Sequence, residues 1–191
     1  MKVGVLALQG AFREHRIMLE HCGVEAVEIR KPDELDDVAG LIIPGGESTT
    51  IGKMLIDWGL MEKIKSRAAD GMAIYGTCAG MIVLARDIIA SDQPRLGLMN
   101  IKVRRNASGR QRESFEADLN VPEFGPEPVR AVFIRAPYIE EVGPEVNVLA
   151  SVDKYAVVAR QEKLLATSFH PELTRDDRIH KYFIAMISGE V

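Results

Sequence analysis

One of the two cysteines stands where a catalytic nucleophile is expected. Residues 76–80 read Gly-Thr-Cys-Ala-Gly, after a short apolar run at residues 72–75 that predicts a buried strand and before residues 81–86, which predict a helix. A nucleophile between small residues at a strand-to-helix junction is typical of a nucleophile elbow, because bulk two positions away would clash in the tight turn. The helix N-terminus also favours the thiolate of Cys78. Taken alone, the motif is equally compatible with a buried cysteine beside a glycine turn.

A nucleophilic cysteine requires a base, and the base requires a group that orients it. Among the four histidines, His170 ends a predicted strand at residues 164–169, and Glu172 follows two positions later. Side chains at positions i and i+2 of an extended segment point the same way, so Glu172 can bond one ring nitrogen while the other faces Cys78. We therefore predict a triad of Cys78, His170 and Glu172. The alternative is a surface histidine in a turn.

The other histidines and the second cysteine have simpler interpretations. His15 and His21 fall on the first predicted helix and His180 on the last, where solvent-exposed faces are expected. Cys22 is expected to be a core thiol.

An acyl-transfer site also needs donors for the tetrahedral oxyanion. The backbone N–H of Ala79, at the helix start, is one candidate. Gly45 and Gly46 are the natural source of the second, because glycine lets the backbone approach a substrate closely. The segment Gly-Gly-Glu-Ser-Thr could instead cradle a phosphate, but it lacks the lysine and the spacing of a phosphate loop.

The first half of the chain alternates strand and helix patterns, which predicts a doubly wound parallel sheet. Strands are predicted at residues 2–8, 25–29, 40–43 and 72–75, and helices at residues 11–21, from Ser48 or Thr49 through Trp58, and at residues 60–69. Ligands of such sheets bind at the carboxyl ends of the strands. Gln9, Gly45, Gly46 and Cys78 are therefore expected on one rim of the sheet.

The second half predicts short strands separated by prolines, followed by a closing amphipathic helix. The strands are predicted at residues 100–105, 113–119, 128–134, 148–152, 155–160 and 164–169, and the helix at residues 176–188, with Ile179, Phe183, Ile184 and Ile187 facing inward. We interpret these strands as a meander and hairpins added to the sheet. Residues 1–191 are thus expected to form a single domain.

Composition excludes several classes of function. The chain has 191 residues, a formal net charge of −4 and two cysteines. This charge argues against nucleic acid or an anionic membrane as the main partner. Two thiols do not make a disulfide framework, and the N-terminal apolar run is too short for a signal peptide or a membrane span, so a cytoplasmic location is expected.

Several motifs together resemble a known family. Residues 44–49, 76–80 and 168–172 are similar to class I, triad-type glutamine amidotransferases. The match is narrower with the glutaminase subunits of pyridoxal 5′-phosphate synthases, and it runs from end to end through residues 8–11, 44–50, 76–81, 109–111, 114–116, 133–137 and 168–174. The family usually has an aromatic residue before its Gly-Arg-Gln motif, where this chain has Ser108. That departure leaves the triad untouched and bears on the packing of the loop around the glutamine pocket.

The resemblance implies an α/β fold, a three-layer sandwich with a mostly parallel central sheet of the flavodoxin-like kind. It implies hydrolysis of L-glutamine through a cysteine thioester, with neither metal nor cofactor. A synthase subunit in a hetero-oligomer would receive the ammonia and complete the oxyanion hole on docking, so the isolated chain would be nearly idle. The implied glutamine contacts are Gly46, Glu47, Ser48, Arg105, Ile134 and Arg135, with Gln9 as a possible supporting residue.

Three other interpretations stay open from the sequence. A related cysteine hydrolase on the same sheet, such as a γ-glutamyl hydrolase or a small protease, would differ in substrate. A redox sensor would use Cys78 as an oxidisable thiol, but it has no need of His170 and Glu172. A glutaminase that serves another pathway is disfavoured only by the motifs shared with the glutaminase subunits of pyridoxal 5′-phosphate synthases.

Overall fold

The computed structural model describes residues 1–105 and 114–191. Ser108 and the Gly-Arg-Gln motif at residues 109–111 therefore lie outside the described residues. The described strands are β1 (Lys2–Leu6), β2 (Glu25–Ile29), β3 (Gly40–Ile43), β4 (Ala73–Thr77), β5 (Ala85–Ile88), β6 (Met99–Arg104), β7 (Ser114–Leu119), β8 (Val129–Ile134), β9 (Tyr138–Val142), β10 (Asn147–Val152), β11 (Tyr155–Gln161) and β12 (Leu164–Thr167). The described α-helices are α1 (Phe12–His21), α2 (Ser48–Asp57), α3 (Leu60–Ala69), α4 (Ala79–Leu84) and α5 (Arg178–Ser188).

A central sheet in the order β2-β1-β3-β4-β12-β11-β9-β6-β5 organises the molecule, with β10 paired to β11. The pairs from β2 through β12 are parallel, whereas β11 runs antiparallel to both β12 and β9. These observations confirm the predicted α/β fold with a mostly parallel core. Strands β7 and β8 form a separate two-stranded sheet, so the expectation that all the late strands join the central sheet was wrong for this pair.

Helices cover both faces of the parallel strands, which explains why those strands are apolar throughout. Successive residues of β1 enter opposite cores: Val5 packs in the cluster that contains Leu19 of α1 and Phe183 of α5, and Leu6 packs in the cluster that contains Ile51 of α2. Helix α3 packs in the same cluster as Leu6 and Ile51. The result is the three-layer arrangement that the resemblance implies.

Strands β5 and β9 were not predicted from the sequence, because each becomes a strand only by pairing with other strands. The helix after the elbow was expected to reach residue 86, but it ends at Leu84 because the chain then pairs in parallel with β6. Strand β9 follows Pro137, contains Glu140 and Glu141, and is held between β6 and β11. Such a charged segment after a proline has no strong strand signal of its own.

Two helix starts differ from prediction, and a carboxylate binds the backbone at each of them. Glu47 precedes α2 and accepts the Thr49 N–H at 3.3 Å, where Ser48 or Thr49 was expected to be the cap. Asp176 accepts the N–H of Arg178 at 3.1 Å and also binds its guanidinium group, so α5 begins two residues later than expected. Within the described residues, no helix combines the length and the apolar character needed to cross a bilayer.

Candidate active site

Cys78 occupies a strained elbow between β4 and α4. Its φ of 49° and ψ of −105° are unusual for a residue with a side chain, and the Cys78 N–H donates to the Thr167 carbonyl at 2.8 Å. A Cβ on Gly76 would lie 2.6 Å from the Gly80 backbone, and a Cβ on Gly80 would collide with the Ile43 carbonyl. The two glycines are thus required by close backbone contacts, as the motif predicts.

His170 reaches the same point from the neighbouring strand. It follows β12, and its N–H donates to the Val132 carbonyl of β8 at 2.9 Å. Its Nδ1 lies 2.7 Å from Oε1 of Glu172, as expected from their spacing, although Glu172 lies in a 3-10 turn, Pro171–Leu173, rather than in an extended segment. The structure therefore brings Cys78, His170 and Glu172 together from two adjacent parallel strands.

The environment of His170 favours its imidazolium form. Burial of the ring lowers the pKa of His170, but hydrogen bonds to Cys78 and Glu172 and the charges of both groups outweigh it and raise the pKa to about 10. A ring with such a pKa holds a proton at neutral pH, beside the sulfur on one side and the carboxylate on the other. The site is thus arranged to supply a proton to a leaving group.

Glu172 is buried and stays ionised. Burial raises its pKa, but the nearby ring of His15 and the hydrogen bond and charge of His170 lower it by more, so the net pKa of Glu172 falls below its usual value. Its Oε2 lies 3.3 Å from Nε2 of His15. The expectation that His15 is solvent-exposed was therefore wrong.

His180 is equally buried, which contradicts the second expectation of exposure, whereas His21 is exposed as predicted. A signal for His15 was present in the sequence. With Met18 and Leu19 it follows the i, i+3, i+4 spacing of the buried face of α1. Cys22, expected in the core, is only partly buried.

A cavity of about 440 Å³ opens in front of the cysteine at the carboxyl ends of the strands. All six residues expected to contact glutamine line it, together with Cys78, His170, Gly45 and Ala79. The six are Gly46, Glu47, Ser48, Arg105, Ile134 and Arg135. The chain segments that carry them lie far apart in sequence, so the cavity exists only in the folded protein.

Charged and polar groups hold one wall of this cavity. Arg105 donates to Oε1 of Gln93 at 2.8 Å and to Oε1 of Glu47 at 3.4 Å. Hydrogen bonds from Thr49 lower the pKa of Glu47, and the charge of Arg105 adds to the effect. Ser48 also donates to Gln93, at 3.4 Å. Gln93 is a buried polar residue that the sequence analysis missed, because it lies in a loop without a motif.

The two glycines opposite the cysteine are confined by their neighbours. A Cβ on Gly45 would lie 3.1 Å from Nδ1 of His170 and 3.4 Å from Cβ of Cys78. The Gly45 carbonyl accepts the Ala11 N–H at 3.2 Å. Gln9 lies beneath Gly46 rather than in the cavity wall, and its Oε1 accepts the Glu47 N–H at 2.7 Å. A side chain at position 45 would therefore clash with His170, and a side chain at position 46 would clash with Gln9, so only glycine fits at either position.

An elbow cysteine, a histidine and a buried carboxylate on an open α/β sheet form the arrangement of triad-type, cysteine-dependent hydrolases, the class that includes the glutamine amidotransferases. Comparison with known proteins narrows the class. The model of the SNO glutamine amidotransferase family matches residues 5–189, and the chain belongs to this family.

Relatives and solved structures agree with this assignment. The chain is 60% identical over 187 residues to "Pyridoxal 5′-phosphate synthase subunit PdxT" of Moorella thermoacetica, covering 98% of this chain and 100% of the relative. A protein of the same name from Pelotomaculum thermopropionicum is 61% identical over 184 residues, covering 96% of this chain and 94% of the relative. A solved structure described as a glutamine amidotransferase superimposes with a TM-score of 0.93 at 50% identity, covering 97% of this chain and 98% of that one.

Proposed function

We propose that this chain hydrolyses L-glutamine to L-glutamate and ammonia, and that it serves as the glutaminase subunit of a pyridoxal 5′-phosphate synthase. The observation that carries the proposal is the cavity in which Cys78 and His170 meet, with Glu172 lying 2.7 Å behind the histidine. The names of the 60% identical relatives support the pathway. We also propose that residues 1–191 act as one glutaminase domain and that the protein works in the cytoplasm.

The chemistry begins with attack of the Cys78 thiolate on the side-chain carboxamide of glutamine. The oxyanion that forms is held by the N–H of Ala79 at the start of α4 and by the backbone of Gly45 and Gly46. His170 then donates its proton to the leaving nitrogen, and ammonia departs. A water molecule deprotonated by His170 hydrolyses the thioester and releases glutamate.

The substrate's zwitterionic end matches the charged wall of the cavity. Arg105 and Arg135 supply guanidinium groups for the α-carboxylate, which a cationic fork binds well. Glu47 supplies an ionised carboxylate for the α-ammonium group. Glu172 keeps His170 oriented and stabilises the imidazolium through each proton transfer.

The chemistry of the product argues for a protein partner. Ammonia is mostly protonated near neutral pH, and ammonium is not a nucleophile, so ammonia must pass to an acceptor away from water. Ile134 and Leu173 line the cavity and are exposed apolar residues, which suits them to contact a docked partner. We expect the isolated chain to be slow and its synthase subunit to accelerate it.

The test is a glutaminase assay of the purified chain with and without its synthase subunit. Cys78→Ala should lose several orders of magnitude in rate, whereas Cys22→Ala, which removes the other thiol outside the cavity, should keep wild-type turnover. Near-normal hydrolysis by Cys78→Ala would refute the assignment, and equal rates with and without the synthase would refute gating. Preference for γ-glutamyl peptides over glutamine would favour a γ-glutamyl hydrolase. Failure of a glutamine-mimicking chloroketone to label Cys78 would favour the redox-sensor alternative.

A further inference from the structure

A buried cluster of polar side chains lies behind the triad, outside the glutamine cavity. It consists of His15 on α1, His180 on α5 and Thr77 on β4, and all three are fully buried. Nδ1 of His15 lies 2.8 Å from Nε2 of His180, and Nε2 of His15 lies 3.1 Å from Oγ1 of Thr77. The same Nε2 is 3.3 Å from Oε2 of Glu172. None of these three residues lines the cavity. Thr77 directly precedes Cys78 in the chain, and among the two histidines it is His15 that contacts Glu172.

The unpartnered atoms of this cluster determine where its protons lie. Nδ1 of His180 is buried and has no hydrogen-bond partner among the described residues. A buried N–H without an acceptor is rarer than a buried acceptor without a donor, so the proton of His180 belongs on Nε2, from which it donates to Nδ1 of His15. Burial lowers the pKa of His15, despite the opposing charge of Glu172, so the ring is neutral and carries one proton. That proton must then lie on Nε2.

The carboxylate leads independently to the same tautomer of His15. Oε2 of Glu172 is buried and has no hydrogen bond of good geometry in the described part of the chain. If the proton of His15 were on Nδ1, the lone pair of Nε2 would face this anionic oxygen at 3.3 Å. With the proton on Nε2, the ring instead offers a donor that Thr77 and Glu172 can share.

We propose that His15 is a positioning residue of the triad, whose Nε2–H holds the second oxygen of Glu172, and that His180 fixes the tautomer of His15. This inference rests on the proposed function. The order of contacts is His180 to His15, His15 to Glu172, Glu172 to His170, and His170 to Cys78. Loss of the donor at His15 leaves one carboxylate oxygen buried without compensation, so the carboxylate turns or takes up a proton and no longer orients His170.

The first test reads the tautomers directly in the full-length wild-type protein. Nitrogen-15 NMR correlations between the ring nitrogens and ring protons distinguish the two neutral tautomers and the imidazolium. We expect His15 and His180 both to be neutral with the proton on Nε2, and the spectrum of His15→Gln assigns the His15 signals. A proton on Nδ1 of His15 would overturn the proposal.

The second test compares two amide substitutions at position 15. The glutamine side chain places its amide near the position of Nε2 and keeps a donor towards Glu172, whereas asparagine places its amide near Nδ1 and does not. We expect His15→Asn to lower kcat about ten- to hundredfold, by analogy with other positioning partners, with KM for glutamine unchanged. His15→Gln should recover most of this loss. His21→Gln, an exposed change on the same helix, is the control.

The outcomes of the second test separate the two proposals. Equal losses in His15→Asn and His15→Gln, or wild-type kcat in His15→Asn, would refute the role of His15. Absence of glutaminase activity in the wild-type protein with its synthase subunit would instead refute the proposed function. The tautomer measurement stands apart from both outcomes, because it requires no turnover.

Discussion

Replacing Glu172 with glutamine is the most direct test of how the triad holds its proton. Glutamine has nearly the same size, so it removes the charge from a buried site without opening a cavity. The pKa of His170 stands at about 10 against an ordinary value of 6.5, which corresponds to about 5 kcal/mol in favour of the imidazolium. Glu172 supplies part of this figure through its hydrogen bond and its charge. Without it, the pKa of His170 should fall, and turnover should fall by about two orders of magnitude or more.

Two measurements on Glu172→Gln check this reasoning. An NMR pH titration follows the His170 ring in the wild-type and variant proteins, and a glutaminase assay with the synthase subunit gives kcat and KM. The expected result is a lower pKa for His170 together with a lower kcat and an unchanged KM, because Glu172 does not line the cavity. Glu14→Gln, on the exposed side of α1, is the control for loss of a charge. A His170 that already titrates near 6.5 in the wild-type protein would refute the argument.

Three further changes test other parts of the structure. Because its pKa is raised from 6.5 to about 10, the His170 ring contributes to the free energy of unfolding fully below pH 6.5, and this contribution is lost as the pH rises towards about 10. Urea unfolding at a series of pH values should show the free energy of unfolding falling over this range, and Cys78→Ala should make this pH dependence smaller. Gly80→Ala should lower the free energy of unfolding by about 1–3 kcal/mol, because the added Cβ would overlap the Ile43 carbonyl oxygen. An unchanged urea midpoint would contradict this expectation. Arg105→Ala should raise KM for glutamine roughly ten- to hundredfold through loss of a charged hydrogen bond, whereas Arg104→Ala, which removes the neighbouring arginine that binds Glu140, should leave KM unchanged.

Features that depend on residues close together in the chain were predictable from the sequence, whereas features that depend on distant segments were not. The elbow around Cys78 and the pairing of His170 with Glu172 depend on residues close together in the chain, so their motifs predicted both features, although Glu172 lies in a 3-10 turn and not in the extended segment expected. The parallel strands were also predictable, because burial on both faces leaves a continuous apolar run. Strand β9 was not, because its charged residues become a strand only between β6 and β11.

The sequence by itself determined the kind of chemistry, through a cysteine on a strand-to-helix turn and a histidine followed two positions later by a carboxylate. The tertiary structure decided what surrounds that chemistry. It placed Gly45 against both Cys78 and His170, brought Arg105 and Gln93 to the cavity wall, and buried His15 and His180 behind Glu172. The physical reason is that burial and hydrogen-bond partners belong to pairs of elements. Helix α1 packs on β1 and β2 and helix α5 packs on β4, and neither helix carries in its own sequence the position of the other.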